Sequence, residues 1–181
     1  MLEDKLTIWE FNRGNRKVIQ QIYEKYKKDL MTLATALLYD ISDAEDVVQD
    51  VFVSFIKSAE RFRLTGSLRS YLASCVANNA RNKNKAKQRR QGTGLDRAEQ
   101  LMSNSVRPDL SAIFGEELDR LAWALSKVPY QQREILLLHL FSGMKFKAVA
   151  KLQGESINTV KGRYRYGLDK LRSLLNSKVK K

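Results

Sequence analysis

The chain of 181 residues contains one cysteine and one histidine. No disulfide framework or zinc finger can be assembled from that pair, and a reduced, cytoplasmic setting is expected. Two prolines, nine glycines and no sustained period-two alternation leave little to build sheets or tight hairpins from, so an all-α fold is expected. The opening residues, Met1 to Phe11, carry early acids and no apolar run. Neither a signal peptide nor a membrane span is expected there. No internal repeat is visible. No cofactor, no metal and no enzymatic activity are expected; nothing near the acidic Asp43–Asp50 segment resembles a nucleotide-binding loop.

Cationic charge is abundant, at a net +13 with 33 Lys/Arg against 20 Asp/Glu. Such a balance favours an anionic partner. Its distribution is more telling than its total: counting Lys and Arg minus Asp and Glu gives −5 over 40–60, +9 over 61–91, −3 over 92–118 and +7 over 161–181. A protein that simply coated DNA would not need acidic blocks between basic ones.

The most informative stretch runs from Phe141 to Lys181. Met144 to Leu152 reads as a short helix, with Phe146, Val149, Ala150 and Leu152 on its apolar side. Ala150 and Gly154 let two helices cross closely, and Ser156 is a good N-cap for a second helix from Ile157 to about Leu175. Ile157 and Val160 are expected to point back and close the pair. That is a helix-turn-helix, whose second helix enters the DNA major groove. Ser156, Asn158, Thr159, Lys161, Gly162, Arg163, Arg165 and Tyr166 are its candidate DNA-contacting positions.

The first half reads as a helical bundle. Arg16 to Leu38 carries a wide apolar stripe at helical spacing. Ser42 and Glu45 form a capping-box pattern for the next helix. That helix is expected to bury Ala44, Val47, Val48, Val51, Phe52, Phe55 and Ile56 while showing Asp43, Asp46, Gln49 and Asp50. A loop over 62–67 precedes a long helix from Leu68 towards Arg90, in which Cys75 is read as core. The run from Arg61 to Gln91 holds nine bases and no acid. One-sign runs repel themselves unless phosphates neutralise them. From Gln91 to about Pro108 the periodicity lapses, as expected of a flexible linker. Leu110 to Lys127 is amphipathic again, Pro129 opens a further helix, and His139, among apolar neighbours, is read as structural.

Four stretches together resemble the bacterial sigma factors of the small, extracytoplasmic-function group, over nearly the whole chain. Asp43-Ala-Glu-Asp-Val-Val-Gln-Asp-Val-Phe52 resembles the family's region-two helix that grips the polymerase β′ clamp helices. Tyr71-Leu-Ala-Ser-Cys-Val-Ala-Asn78 resembles its minus-ten motif. Val128-Pro-Tyr-Gln-Gln-Arg-Glu134 resembles the opening of region four, and Gly154-Glu-Ser-Ile-Asn-Thr-Val-Lys161 its recognition helix. Tyr71 stands where the family usually has Trp, Asn82 where Asp is common, Asn158 where Gly is common, and Tyr166 where a basic residue often contacts DNA. These departures bear on promoter sequence, not on class.

The resemblance implies an all-α protein of two small helical domains joined by a flexible linker. Residues 1–91 would form a region-two domain, 92–109 the linker and 110–181 a region-four domain. The implied minus-ten contacts are Phe62, Thr65, Gly66, Ser67, Arg69, Tyr71, Ser74, Asn78, Arg81 and Lys85. The implied polymerase contacts are Asp43, Asp46, Val47, Gln49, Asp50 and Val53. The implied partners are core RNA polymerase, through its β′ clamp helices and β flap, promoter DNA, and an anti-sigma factor. Two other classes remain open on the residues alone. A dimeric helix-turn-helix regulator would read palindromic half-sites. A nucleic-acid enzyme would hold magnesium on Asp43, Glu45 and Asp46.

Overall fold

The computed structural model describes residues 2–13, 15, 17–58, 66–90 and 116–177. Among them there is no strand. Eight α-helices follow in order: α1 (Leu2–Asn12), α2 (Lys17–Leu38), α3 (Ile41–Ser58), α4 (Leu68–Arg90), α5 (Glu116–Ser126), α6 (Tyr130–Leu136), α7 (Phe146–Gln153) and α8 (Ile157–Ser177). The expected loop residues 62–65, the linker 92–109 and the start of the 110–127 helix lie outside the described residues.

Helices α2, α3 and α4 form a bundle because each carries one apolar stripe. Val18, Ile22, Leu30, Leu33 and Leu37 of α2 meet Val47, Val48, Val51 and Phe55 of α3 and Leu68, Leu72 and Val76 of α4, all buried. Each such side chain stabilises the fold by about 1.5–3 kcal/mol through its removal from water. Helix α1 was not expected; it is anchored by Phe11, whose ring stacks on Phe55 at 4.4 Å between centroids.

The start of α3 differs from the expected capping box. Asp40, not Ser42, is the cap: its Oδ1 accepts a 2.9 Å hydrogen bond from the Asp43 N–H. Ser42 and Glu45 therefore lie inside the helix. Tyr39 makes the sharp turn into it at a φ of 54°, a left-handed conformation uncommon for a bulky residue. Ile56 was expected in the core and is 46% exposed. Ile56 lies in the last turn of α3, which ends at Ser58.

In the second half, α5, α6 and α8 pack around Ala124, Leu125, Val128, Leu136 and Leu171. Gly167 makes the crossing of α8 on α6 possible: a Cβ there would lie 3.0 Å from the Gln132 Cβ and 3.3 Å from the Leu136 Cδ1. Helix α6 continues into a π-helical turn over Leu137–Phe141, closed by a 3.2 Å bond from the Ser142 N–H to the Leu137 carbonyl. Such turns insert one residue into a helix and re-aim those around it. Met144 precedes α7 instead of opening it, and is buried.

Candidate nucleic-acid and polymerase interfaces

The turn between α7 and α8 is built as a helix-turn-helix requires. Gly154 ends α7 at a φ of 68°, which glycine adopts without a Cβ clash, and the Glu155 N–H returns to the Ala150 carbonyl at 3.0 Å. Ser156 then caps α8, its Oγ accepting the Thr159 N–H at 3.0 Å and lying 2.9 Å from Thr159 Oγ1. Val160 is fully buried and locks the pair. Ile157, expected to help close it, is 40% exposed instead. It is the first residue of α8.

Asn158, Lys161, Arg165 and Tyr166 project to solvent from α8, while Thr159, Gly162 and Arg163 are half-buried. Arg163 is held by Glu155, Nη1 to Oε1 at 3.0 Å. Asn158, Lys161 and Arg165 follow at i, i+3 and i+7 and so share one face. Gly162 sits in that face with open space beyond it, which lets a groove edge approach the backbone. An amide and two cations around a small residue suit phosphate positioning and base-edge reading.

On α4, Ser67 is the cap, its Oγ accepting the Ser70 N–H at 3.3 Å. Gly66, Ser67, Arg69, Asn78 and Lys85 are exposed, and Tyr71, Ser74 and Arg81 half-buried. Phe62 and Thr65 lie outside the described residues. Asn78 Oδ1 accepts a hydrogen bond from Arg81 Nη1 at 3.1 Å. Arg69 pairs with Asp29 at 3.0 Å. Tyr71 leans its ring on Phe55, 6.1 Å away, and burial raises both its phenol and the neighbouring Cys75 thiol above their usual pKa.

Not all the cations of α4 face outward. Lys83 Nζ lies 2.9 Å from both Asp43 Oδ1 and Asp46 Oδ2, and Lys87 pairs with Asp40 and Asp43. Burial works to raise the Asp43 pKa, but hydrogen bonds from Lys87 and Lys83 outweigh it and the net shift is downward. Asp43 thus clasps α3 to α4. With two lysines on it, the Asp43/Glu45/Asp46 group has the wrong surroundings for magnesium. Val47 is buried in the bundle. Gln49, Asp50 and Val53 are exposed and, with Asp46, recur at i, i+3, i+4 and i+7 along one ridge of α3.

Arg133 and Glu134, quoted above only as the end of the Val128–Glu134 stretch and not as site residues, are the most deeply buried charges among the described residues, at 2% and 1% exposed. Arg133 Nη1 donates to the Val128 and Leu125 carbonyls and Nη2 to the Leu37 carbonyl of α2 at 3.3 Å. Glu134 Oε1 accepts from Arg81 at 2.7 Å and Oε2 from Gln153 at 2.6 Å. Burial raises the Glu134 pKa, an effect that the Arg81 charge opposes. Helical periodicity marks these positions as inward, but nothing local names their partners.

The family model for sigma-70 region 2 matches residues 22–90, and that for sigma-70 region 4 matches residues 118–171. The chain belongs to the sigma-70 family. Similar proteins include the extracytoplasmic-function sigma factor SigX of Bacillus subtilis, 25% identical over 160 residues that cover 86% of this chain and 82% of SigX. The sigma factor CnrH of Cupriavidus metallidurans is 25% identical over 185 residues, covering 98% of this chain and 97% of CnrH. Among solved structures, CnrH in complex with the cytosolic domain of CnrY superposes with a TM-score of 0.67, covering 96% of this chain and 97% of that one. The Bartonella quintana sigma factor RpoE, crystallised with the anti-sigma factor NepR, superposes at 0.70 over 87% of this chain and 96% of its own, at 22% identity.

As a sigma factor of the extracytoplasmic-function group, the protein binds core RNA polymerase and directs promoter recognition and transcription initiation. It is not an enzyme, and the dimeric-regulator alternative is not favoured. Among the described residues no helix is long and apolar enough to cross a membrane.

Proposed function

We propose a division of labour within that activity. The region-two domain, residues 1–91, rests on the polymerase β′ clamp helices through the α3 ridge of Asp46, Gln49, Asp50 and Val53. It presents α4 to the minus-ten element. The region-four domain, residues 110–181, meets the β flap and places α8 in the major groove of the minus-thirty-five element. Residues 92–109 connect them. Asn158 and Thr159 read base edges there, while Lys161, Arg163 and Arg165 take phosphates or guanine edges. Asn78, with the 62–67 loop, holds a non-template base that has left the stack. Unstacking costs a few kcal/mol, and stacking and amide contacts worth about 1–3 kcal/mol each offset it. Melting then needs no bond chemistry.

The observation carrying this reading is the capped, outward face of α8, where Asn158, Lys161 and Arg165 align around Gly162. Since CnrH was solved with the cytosolic domain of CnrY and RpoE with the anti-sigma factor NepR, we place an anti-sigma factor among the partners and the protein in the cytoplasm. The test is in vitro transcription with purified bacterial core polymerase and genomic DNA, mapping start sites that depend on the protein. Dependent starts sharing two elements support the reading; no dependent transcript would sink it. Asn78→Ala should retain polymerase binding and lose permanganate reactivity of the melted promoter. Unchanged reactivity counts against the minus-ten assignment.

A further inference from the structure

Helix α4 carries two kinds of cation on opposite faces. Lys83 and Lys87 turn towards α3, where Lys83 meets Asp43 and Asp46, and Lys87 meets Asp40 and Asp43. Lys85 and Arg89 are exposed and pair with no carboxylate among the described residues. Each lies two positions from a paired lysine, and a step of two turns a helical side chain by about 200°.

The free pair belongs to a stripe that is already assigned in part. Tyr71, Ser74, Asn78, Asn82, Lys85 and Arg89 recur at i, i+3, i+7, i+11, i+14 and i+18, which is one face of a helix. Its members from Asn78 onward are all exposed. The candidate minus-ten positions stop at Lys85, so Asn82 and Arg89 fall outside them.

The composition of the stripe beyond Asn78 says what kind of partner it fits. Helix α4 contains no Asp or Glu, and none of its large apolar side chains is exposed. A protein partner would want an apolar or aromatic anchor there, and an unstacked single strand an aromatic platform. Asn82, Lys85 and Arg89 offer neither. An amide and two cations with no acid beside them suit the phosphate oxygens of a duplex, which such groups contact whatever the sequence. The helix dipole favours Arg89 in the last turn, but Asn82 and Lys85 stand before that turn.

Connectivity sets the direction. The chain leaves α4 at Arg90 and goes on to the region-four domain, which the proposed placement puts on the upstream element. The C-terminal end of α4 therefore points upstream of the base held by Asn78. From Asn78 to Arg89 the helix rises about 16 Å, at ~1.5 Å per residue. That length spans about five base pairs at ~3.4 Å each.

We propose that Asn82, Lys85 and Arg89 form a phosphate track for the duplex just upstream of the minus-ten element, within about five base pairs of the melted base. This rests on the assignment of α4 to that element. The track holds the double-stranded edge while the strand beyond it opens, so it supplies affinity and register without sequence preference.

The test uses holoenzyme assembled from core polymerase and the full chain, bound to a promoter fragment from a mapped start site at several salt concentrations. Lys85→Gln with Arg89→Gln should lower the slope of log K against log salt by about 1.8, at ~0.9 per phosphate contact. Lys85→Arg with Arg89→Lys keeps both charges and should keep the wild-type slope. Lys83→Gln with Lys87→Gln, on the opposite face, should lower thermal stability and leave the slope alone. Neutral methylphosphonates across the upstream pairs should weaken the wild type about tenfold and the Lys85→Gln, Arg89→Gln variant far less. An unchanged slope in that variant overturns the proposal. So does a response confined to methylphosphonates placed downstream, or an equal loss of affinity for core polymerase without DNA, which would mark a protein contact. Failure of the minus-ten assignment is read separately, from Asn78→Ala: normal opening there removes the strand reader, whereas an unchanged salt slope removes the track alone.

Discussion

Lys83 of α4 sits 2.9 Å from the Asp43 carboxylate of α3, and Lys87, one turn on, grips the same group. The sign of its pH dependence follows from the shifts. Asp43 is lowered from 3.8, so its contribution is complete above that value and is lost as pH falls through the lower folded one. Burial works to lower the Lys83 and Lys87 pKa values, but hydrogen bonds and charge from Asp43 outweigh it and raise them above 10.5. Their part is complete below 10.5 and is lost as pH rises through the raised values. Asp43→Asn should therefore cost about 1–3 kcal/mol at pH 7. Its deficit against the wild type should shrink once the pH drops below about 3.8. Urea unfolding at pH 7 and pH 3 checks this; an equal deficit at both refutes the ionic account.

Gly167 leaves α8 in contact with α6, and its absent side chain is what sets their spacing. Gly167→Val would place a branched side chain against Gln132 and Leu136, whose atoms lie 3.0 and 3.3 Å from the added Cβ. Overpacking of this kind costs about 1–3 kcal/mol. Thermal unfolding should register the loss. Gly162→Ala is the control, since nothing lies within 4 Å of its added Cβ, and it should leave the melting temperature unchanged or slightly raised by helix propensity.

Ser156→Ala removes the acceptor for the Thr159 N–H. The expected loss is about 1 kcal/mol of stability. Fraying would fall on the first turn of α8, where Asn158 and Thr159 are the proposed base readers. Affinity for an upstream-element duplex, measured for the holoenzyme, should fall more than the affinity of Ser173→Ala, a substitution on the exposed far end of the same helix. Equal affinities for the two variants would separate the cap from recognition.

Helix α4 was legible almost to the residue, because Gly66 and Ser67 open it and its basic end carries no breaker before Arg90. The turn before α8 was legible for the same local reason: Gly154 and Ser156 each have one obvious use. Asp40 displaced Ser42 as the cap of α3, since each can accept a hydrogen bond from the N–H three residues on and only the turn at Tyr39 decides between them. Ile56 and Ile157 followed the apolar period yet are exposed, being at helix ends where the neighbouring helix no longer runs alongside. The cross-helix partners of Lys83, Lys87, Arg81 and Arg133 could not be read at all. Asp43, Glu134 and Leu37 each lie tens of residues from the cation they meet, and periodicity records which way a side chain points without saying what it meets.

Within the α3 ridge proposed to dock on polymerase, docking can be separated from internal stability. Asp46 cannot make that distinction, because it also pairs with Lys83, so reversing its charge would weaken the bundle as well as any interface. Among the described residues Asp50 pairs with no cation: it is exposed, one turn along, beside Val53, which is 42% exposed and apolar. An apolar side chain flanked by acid is the composition expected where a basic partner helix docks, with charge steering the encounter. Asp50→Lys should leave thermal stability within about 0.5 kcal/mol of the wild type. It should weaken binding to core polymerase about tenfold, or 1.4 kcal/mol, with a smaller loss at high salt as screening shortens the reach of both charges. Fluorescence titration of core polymerase at two salt concentrations measures both quantities. Full-strength binding by Asp50→Lys would move the docking surface off this ridge, while a matching fall in melting temperature would show that Asp50 acts through the fold.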